Sequence, residues 1–321
     1  MPNSSVQIIP VSSEIKIENY VIGYKEEGES IIVFLKLDDE ILFSMVVDSY
    51  ENNINHTIKI LEDNKIENID ILCWTHPHED HSKGIEKIIL KYCNKNTKVV
   101  IPEIDSNKFE YIPDSCREIY KNISKINYHG KKKNGNLTYG FYSELLKWFK
   151  LSWKGKEIPF SLFCLTPPSK NIANSKFNRS IAINDFSISL LLSFANRNFL
   201  YGGDIENKSI SYLIDDNNYI DNLSFIKVPH HGSSSSNKLF EMISIDENTV
   251  CAITNYHNGY ISLPESEIID KYYHCSNEVF VYDEKNEYDY GILKSVFTIS
   301  EPNIIINDNT YEGIVRCVWF F

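Results

Sequence analysis

The residues Thr75-His76-Pro77-His78-Glu79-Asp80-His81 hold the densest group of chemically capable side chains in the sequence. Four metal-ligand types, His76, His78, Asp80 and His81, fall within six residues. In a loop, imidazoles two residues apart can point the same way and grip one ion. Asp80 and His81 can then turn toward a second. Zinc accepts imidazole nitrogen and carboxylate oxygen, and a catalytic zinc keeps one position for water. Two ions a few ångströms apart share that water and lower its pKa toward neutrality. The competing reading is a solvated polar loop that happens to follow a buried strand.

Two later segments share this character. Phe199-Leu200-Tyr201-Gly202-Gly203-Asp204 carries an apolar run to an acid. Phe225-Ile226-Lys227-Val228-Pro229-His230-His231-Gly232 carries another to paired imidazoles. A blander role for His230 and His231 is a capping pair on a loop. Glu79 reads as solvated, and His56 and His274 as structural or exposed.

The elements that must position these groups follow from periodicity. Residues 31–36 and 41–47 are β-rich and split by Leu37-Asp38-Asp39-Glu40, which predicts a hairpin of buried strands. Residues 53–63 have helical spacing, with Ile54, Ile58 and Leu61 on one stripe. Residues 69–74 predict a short buried strand. A helix after the loop should face inward with Ile85, Ile88, Ile89 and Tyr92. This order opens a layered α/β arrangement. A second unit begins near residue 159, with strand-like runs at 160–165, 186–194, 198–201 and 225–228 and a helix at 206–214. Both halves place metal-type side chains at the end of an apolar strand. Residues 105–158 fit neither half. They carry Lys131-Lys132-Lys133 and an aromatic stretch from Tyr139 to Trp153, and read as an insertion or lid, or as a surface excursion.

Composition sets the outer bounds. The 42% hydrophobic and 24% charged content is ordinary for a packed core. A formal charge of −12 repels phosphate backbones at long range, so tight non-specific nucleic-acid binding is not expected. A local pair of dications can still reverse the field in one cleft. Seven scattered cysteines with no C-x-x-C pair argue against a disulfide framework and a cysteine zinc knuckle, and fit a reducing cytoplasm. Met1-Pro2-Asn3-Ser4-Ser5 lacks the basic and apolar stretches of a signal peptide. With no run of 18 apolar residues, a membrane span is not expected.

His76-x-His78-x-Asp80-His81 resembles the H-x-H-x-D-H signature of the metallo-β-lactamase superfamily. Val46-Val47-Asp48 looks like the strand-ending aspartate that precedes it, and Gly203-Asp204 like the segment whose aspartate bridges two metals. Lys227-Val228-Pro229-His230-His231-Gly232-Ser233 is similar to a motif of the branch that includes the hydrolase domain of ComEC-type DNA-uptake proteins. Asn184-Asp185-Phe186-Ser187 is close to that branch's N-D-x-S element. The resemblance implies a four-layer αββα sandwich over residues 1–321, one domain with the 105–158 segment inserted. It implies two divalent ions, zinc first, with manganese or iron as alternatives. His76 and His78 would hold one ion, Asp80 and His81 the other, and Asp204 would bridge. His230 and His231 would complete the site, one as a ligand and the other as a ligand or oxyanion stabiliser. Asp80 and His231 are the candidate catalytic residues.

The chain departs from the pattern in two places. Leu263, before Pro264, stands where many relatives have a histidine, and His257 is a candidate replacement from a shifted position. The usual lone histidine between signature and bridging aspartate is missing. Only His129 lies in that interval, beside the lysine patch.

The expected activity is that of a metal-dependent phosphodiesterase or nuclease, with a metal-bound hydroxide attacking a nucleic acid or nucleotide. Ser233 to Ser236 and the 131–133 lysines would help to bind phosphate. A hydrolase of carboxylic esters, lactones or thioesters uses the same chemistry, and a pocket without cationic residues would favour it. A third expectation is a metal-bound, non-catalytic binding or regulatory module, distinguished by its metal content.

Overall fold

The computed structural model describes residues 6–104, 106–128, 136–175, 182–282, 287–301 and 304–318. Two large sheets lie face to face. The first has eight strands in the order Ile304–Gly313, Tyr290–Glu301, Ile15–Tyr24, Glu29–Leu37, Glu40–Val47, Ile71–Cys73, Lys98–Pro102 and Asn136–Gly140. Its first five strands are antiparallel to their neighbours and its last four are parallel, with Glu40–Val47 belonging to both runs. The second has nine strands, and its parallel run joins Arg197–Tyr201, Leu223–Lys227, Val250–Ile253 and Glu278–Tyr282.

Three apolar layers hold the arrangement together. Val33, Met45 and Cys73 from the first sheet meet Phe160, Leu190, Phe199 and Phe225 from the second in the central core. Ile60, Leu61, Ile85, Ile88 and Ile119 pack helices on the outer face of the first sheet. Ile210, Leu213, Ile268 and Tyr272 do the same on the second. The order helix, sheet, sheet, helix is the four-layer α/β sandwich expected from the sequence. Burial of this area is the main driving force for the fold, at roughly 25 cal/mol per Å².

Local expectations fare unevenly. The hairpin forms as Glu29–Leu37 and Glu40–Val47, turning at Asp38 with φ 52°. The helix after the loop runs Ile85–Tyr92 and buries the four expected residues. The earlier helix starts only at His56, because Asn55 caps it by accepting from the Ile58 amide at 3.0 Å. Ile54 therefore lies outside the helix and is exposed, while Leu61 is buried as expected, now alongside His56, Thr57 and Ile60.

The described residues of the 105–158 segment join both sheets. Asp114–Tyr128 is a helix over the first sheet, Asn136–Gly140 is an edge strand of that sheet, and Leu145–Trp153 belongs to the second. His129 and Lys131 to Lys133 lie outside the described residues. All seven cysteines are free, five of them buried. Among the described residues, no helix is long and apolar enough to cross a membrane.

Candidate metal centre

The carboxyl ends of parallel strands from both sheets converge on one cleft, where open α/β sheets place their ligands. Asp48 follows Val47 there with left-handed backbone, φ 56°. Its Oδ1 accepts from the Thr75 amide at 2.7 Å and its Oδ2 from the Thr75 hydroxyl at 2.7 Å. The same Oδ2 lies 2.8 Å from His81 Nδ1. One carboxylate thus ties the entry of the histidine loop to its exit. Between them a single 3-10 turn over Glu79–His81 reverses the chain. Trp74 closes the base of the loop by donating its indole N–H to Ser82 Oγ at 3.0 Å.

The second sheet supplies the opposite wall. A Cβ on Gly202 would stand 2.9 Å from the Lys227 carbonyl oxygen. One on Gly203, where φ is +54°, would stand 2.7 Å from the Ile188 carbonyl oxygen. Only glycine lets the backbone pass so close, and it delivers Asp204 to the cleft. Ser187 Oγ, from the N-D-x-S element, accepts from the Asp204 amide at 2.9 Å. His230 and His231 both adopt left-handed backbone, φ 48° and 51°. Such a conformation costs roughly 1–2 kcal/mol per non-glycine residue. A bond of 2.9 Å from the His230 amide to the Gly203 carbonyl helps to hold it.

These segments assemble two donor sets that share Asp204. One comprises His76, His78 and Asp204, the other Asp80, His81, His231 and Asp204. In the first, His76 Nε2 lies 3.0 Å from His78 Nδ1 and 3.5 Å from Asp204 Oδ2. In the second, His81 Nε2 lies 3.3 Å from Asp80 Oδ2 and 3.4 Å from Asp204 Oδ1. His231 Nε2 lies 3.1 Å from Asp80 Oδ2 and 4.0 Å from Asp204 Oδ1. A tetrahedral ion with bonds of about 2.0–2.1 Å needs donors about 3.3 Å apart, which these separations approach. His81 Nε2 and Asp204 Oδ1 are also buried without a hydrogen-bond partner. Leaving such groups unpaired is costly in an apolar interior. The residues present therefore fit a divalent metal site.

The charges agree. Burial alone would raise the Asp80 carboxyl, but His81 and His231 outweigh it and hold it well below the usual range. Burial likewise opposes ionisation of Asp204, and His81, His76 and His230 reverse the effect. His81 is raised well above an ordinary imidazole, because Asp80, Asp204 and Asp48 together overcome its burial. His78 is pushed down to about 3, first by burial and then by His76.

A pH dependence follows. In the metal-free protein, the raised pKa makes His81 keep its proton through neutral pH, and an ion at Nε2 must displace it. Affinity at the second set should rise by about tenfold per pH unit up to the raised value and then level off. Calorimetric titration of zinc in buffers of different ionisation enthalpy should count about one proton released for that ion. Release of none would contradict a protonated His81 in the metal-free site.

Of the residues singled out in the sequence, His76, His78, Asp80, His81, Asp204 and His231 come together. His230 does not join either donor set. Its Nε2 is 4.0 Å from Asp204 Oδ2, and its Nδ1 lies 2.8 Å from Ser235 Oγ and 3.4 Å from Glu206 Oε1. It stands half-buried on the rim of the cleft. Glu79 is exposed, as expected, and accepts from Ser115 Oγ at 2.6 Å.

His257 lies exposed on a short strand pair and belongs to neither set, whereas Leu263, opposite Tyr256 in that pair, lines the cleft. His257→Ala should leave zinc affinity unchanged in calorimetric titration. Leu263→His should tighten one bound ion by roughly tenfold, a modest gain for one added donor. A loss of affinity in His257→Ala would reverse the assignment.

Sequence reasoning missed the groups behind the donors. Glu29, Thr75 and Thr254 are buried and bonded to ligand residues or to their supports. Thr75 and Thr254 each follow an apolar run, a weak signal. Glu29 gives no local signal, since its partner Thr254 is 225 residues away.

No family model matches the chain, and no curated protein matches it. Among solved structures, a diphosphatase from the PhnP family aligns at a TM-score of 0.36 and 11% identity, covering 73% of this chain and 85% of its own. Zinc-bound PqqB from Methylobacterium extorquens aligns at 0.34 and 10%, covering 61% of this chain and 69% of its own. Likenesses this distant carry no argument about activity.

Proposed function

We propose that this chain is a metal-dependent hydrolase of small phosphodiesters, with a nucleotide as the favoured substrate class. The observation that carries this reading is the pair of donor sets sharing Asp204 at the floor of an open cleft of about 340 Å³. Two divalent ions bound there would activate a water near neutral pH and neutralise charge on the oxygens of the substrate. The remaining work falls to the chain. Asp80, held ionised with its Oδ2 3.1 Å from His231 Nε2, can accept a hydrogen bond from the attacking water and orient it. His230, on the rim, can contact the substrate beside the donor sets. Tyr256, Ile261 and Leu263 give one wall an apolar surface on which a base or acyl group could rest.

The lining narrows the substrate. Among the described residues, no lysine or arginine lines the cleft, and Glu27 and Glu79 stand along it. A long polyanion would bring its flanking phosphates against these carboxylates. The serine loop offers little help. Ser234 Oγ is bonded to Glu265 at 2.8 Å and Ser236 Oγ to the Ile205 carbonyl at 2.6 Å. A nuclease acting on long strands is therefore the weaker form of the phosphodiester reading. The same cation-free lining supports a second reading, hydrolysis of a carboxylic ester, lactone or thioester.

The test is a substrate panel on zinc- and manganese-reconstituted protein. It should contain bis(p-nitrophenyl) phosphate, a cyclic dinucleotide, single-stranded DNA, p-nitrophenyl acetate and a lactone. Chelator-sensitive turnover of the small phosphodiesters is expected, with little on the DNA. Turnover of only the acetate and lactone would favour the second reading, and bound metal without turnover of any substrate would favour a metal-bound binding module.

A further inference from the structure

His231 reaches the cleft from a loop with strained backbone, so something must fix its ring. Its Nε2 faces Asp80, and its Nδ1 lies 3.0 Å from Thr254 Oγ1. The Thr254 hydroxyl in turn donates to Glu29 Oε2. Glu29 sits at the start of the strand Glu29–Leu37, 1% exposed, and its Oε2 is 2.7 Å from the Nζ of Lys227, which is 0% exposed. Lys227 ends the strand that leads to His231, so the ion pair clamps the two sheets together directly beneath this histidine. A threonine hydroxyl carries one hydrogen. Since Glu29 takes it, Thr254 can only accept from His231, and Nδ1 must carry the proton of that bond. In the neutral ring the Nε2 lone pair is then left free to face the cleft.

We propose that Glu29 is a positioning residue, which acts through Thr254 to hold His231 in the tautomer and orientation a metal ligand requires, with Lys227 fixing the carboxylate in place through their ion pair. This rests on the metal-dependent reading of the site. The same arrangement recurs on the other wall, where Asp48 takes the hydroxyl hydrogen of Thr75 and Thr75 Oγ1 lies 3.0 Å from His76 Nδ1. Two imidazoles, one in each donor set, are thus backed by a threonine and a buried carboxylate. Glu29, Asp48 and His81 also form a compact group of their own that could hold an ion. Their facing atoms are already engaged, however. Asp48 accepts from Thr75 and contacts His81 Nδ1, while Glu29 accepts from Thr254 and pairs with Lys227. They serve as supports for the ligands.

The test uses Thr254→Val, which removes the hydroxyl and keeps the branched shape, beside Thr254→Ser, which keeps the hydroxyl. Cobalt is titrated into each metal-free full-length protein by calorimetry and by visible absorption. The wild type should show two binding events. In Thr254→Val one event should weaken by about 10–100-fold, the usual cost of losing a partner behind a metal-bound histidine, while the other is unchanged. The absorption of the weakened ion should shift, since its ligand has rotated. Thr254→Ser should stay near wild type. If Thr254→Val does not give a cooperative melt, Thr254→Ala is judged by the same criteria. Equal affinity in Thr254→Val and wild type, or equal loss in the Val and Ser variants, overturns the proposal. Failure of the wild type to bind cobalt overturns the metal-dependent reading and this inference with it, a result distinct from either.

Discussion

Asp204→Asn is expected to remove nearly all turnover, lowering kcat/KM by roughly 10³-fold or more. Asp204 is the one donor common to both sets, with Oδ2 toward His76 and Oδ1 toward His81. Each ion would lose an anionic ligand at once, and the charge that offsets two adjacent dications would fall. Metal-site chemistry contributes several kcal/mol to such a transition state, and about 4 kcal/mol corresponds to the stated factor. The fold should survive, because Asn keeps the shape and the backbone bond from the Asp204 amide to Ser187 Oγ. The check is steady-state kinetics on the best phosphodiester, paired with calorimetric metal titration and a thermal melt. Both ions should bind more weakly. Full activity in a folded variant would remove Asp204 from the site.

Asp80→Asn should be nearly as severe but should differ in its metal content. Asp80 belongs to the second set only, where His81 and His231 approach its Oδ2. Elemental analysis of the variant should therefore give about one ion per chain, against two for wild type. Turnover should drop by about 10²–10³-fold, since the remaining ion still polarises the substrate while the orienting carboxylate is gone. The contrast between the variants is the informative part. If Asp80→Asn lost both ions, the two sets would not be separable, and if it lost neither, Asp80 would be only a neighbour of the site.

What the sequence made legible lies close together along the chain. The histidine loop packs four donors into six residues after a run of Ile71-Leu72-Cys73-Trp74. The helix Ile85–Tyr92 has enough apolar period to announce its buried face. The elements that escaped notice depend on distant partners. Ile15–Tyr24 pairs with Tyr290–Glu301 from the far end of the chain, and neither strand stands out locally. Leu145–Trp153 buries Leu146, Leu151 and Trp153 around a half-exposed middle, so its lysines and aromatics resemble a surface excursion. Glu29 is a charged residue whose burial makes sense only when Lys227 and Thr254 are brought to it from the other sheet. The paired histidines show the same limit. Their type and order are plain in the sequence, but the left-handed turn that sends His231 inward and leaves His230 on the rim is not.

The measurement that bears most directly on the whole account is anomalous diffraction from crystals of the full chain loaded with manganese or zinc. Two peaks are expected, one among His76, His78 and Asp204 and the other among Asp80, His81, His231 and Asp204. No peak at these positions, or a single peak among Glu29, Asp48 and His81, would contradict it.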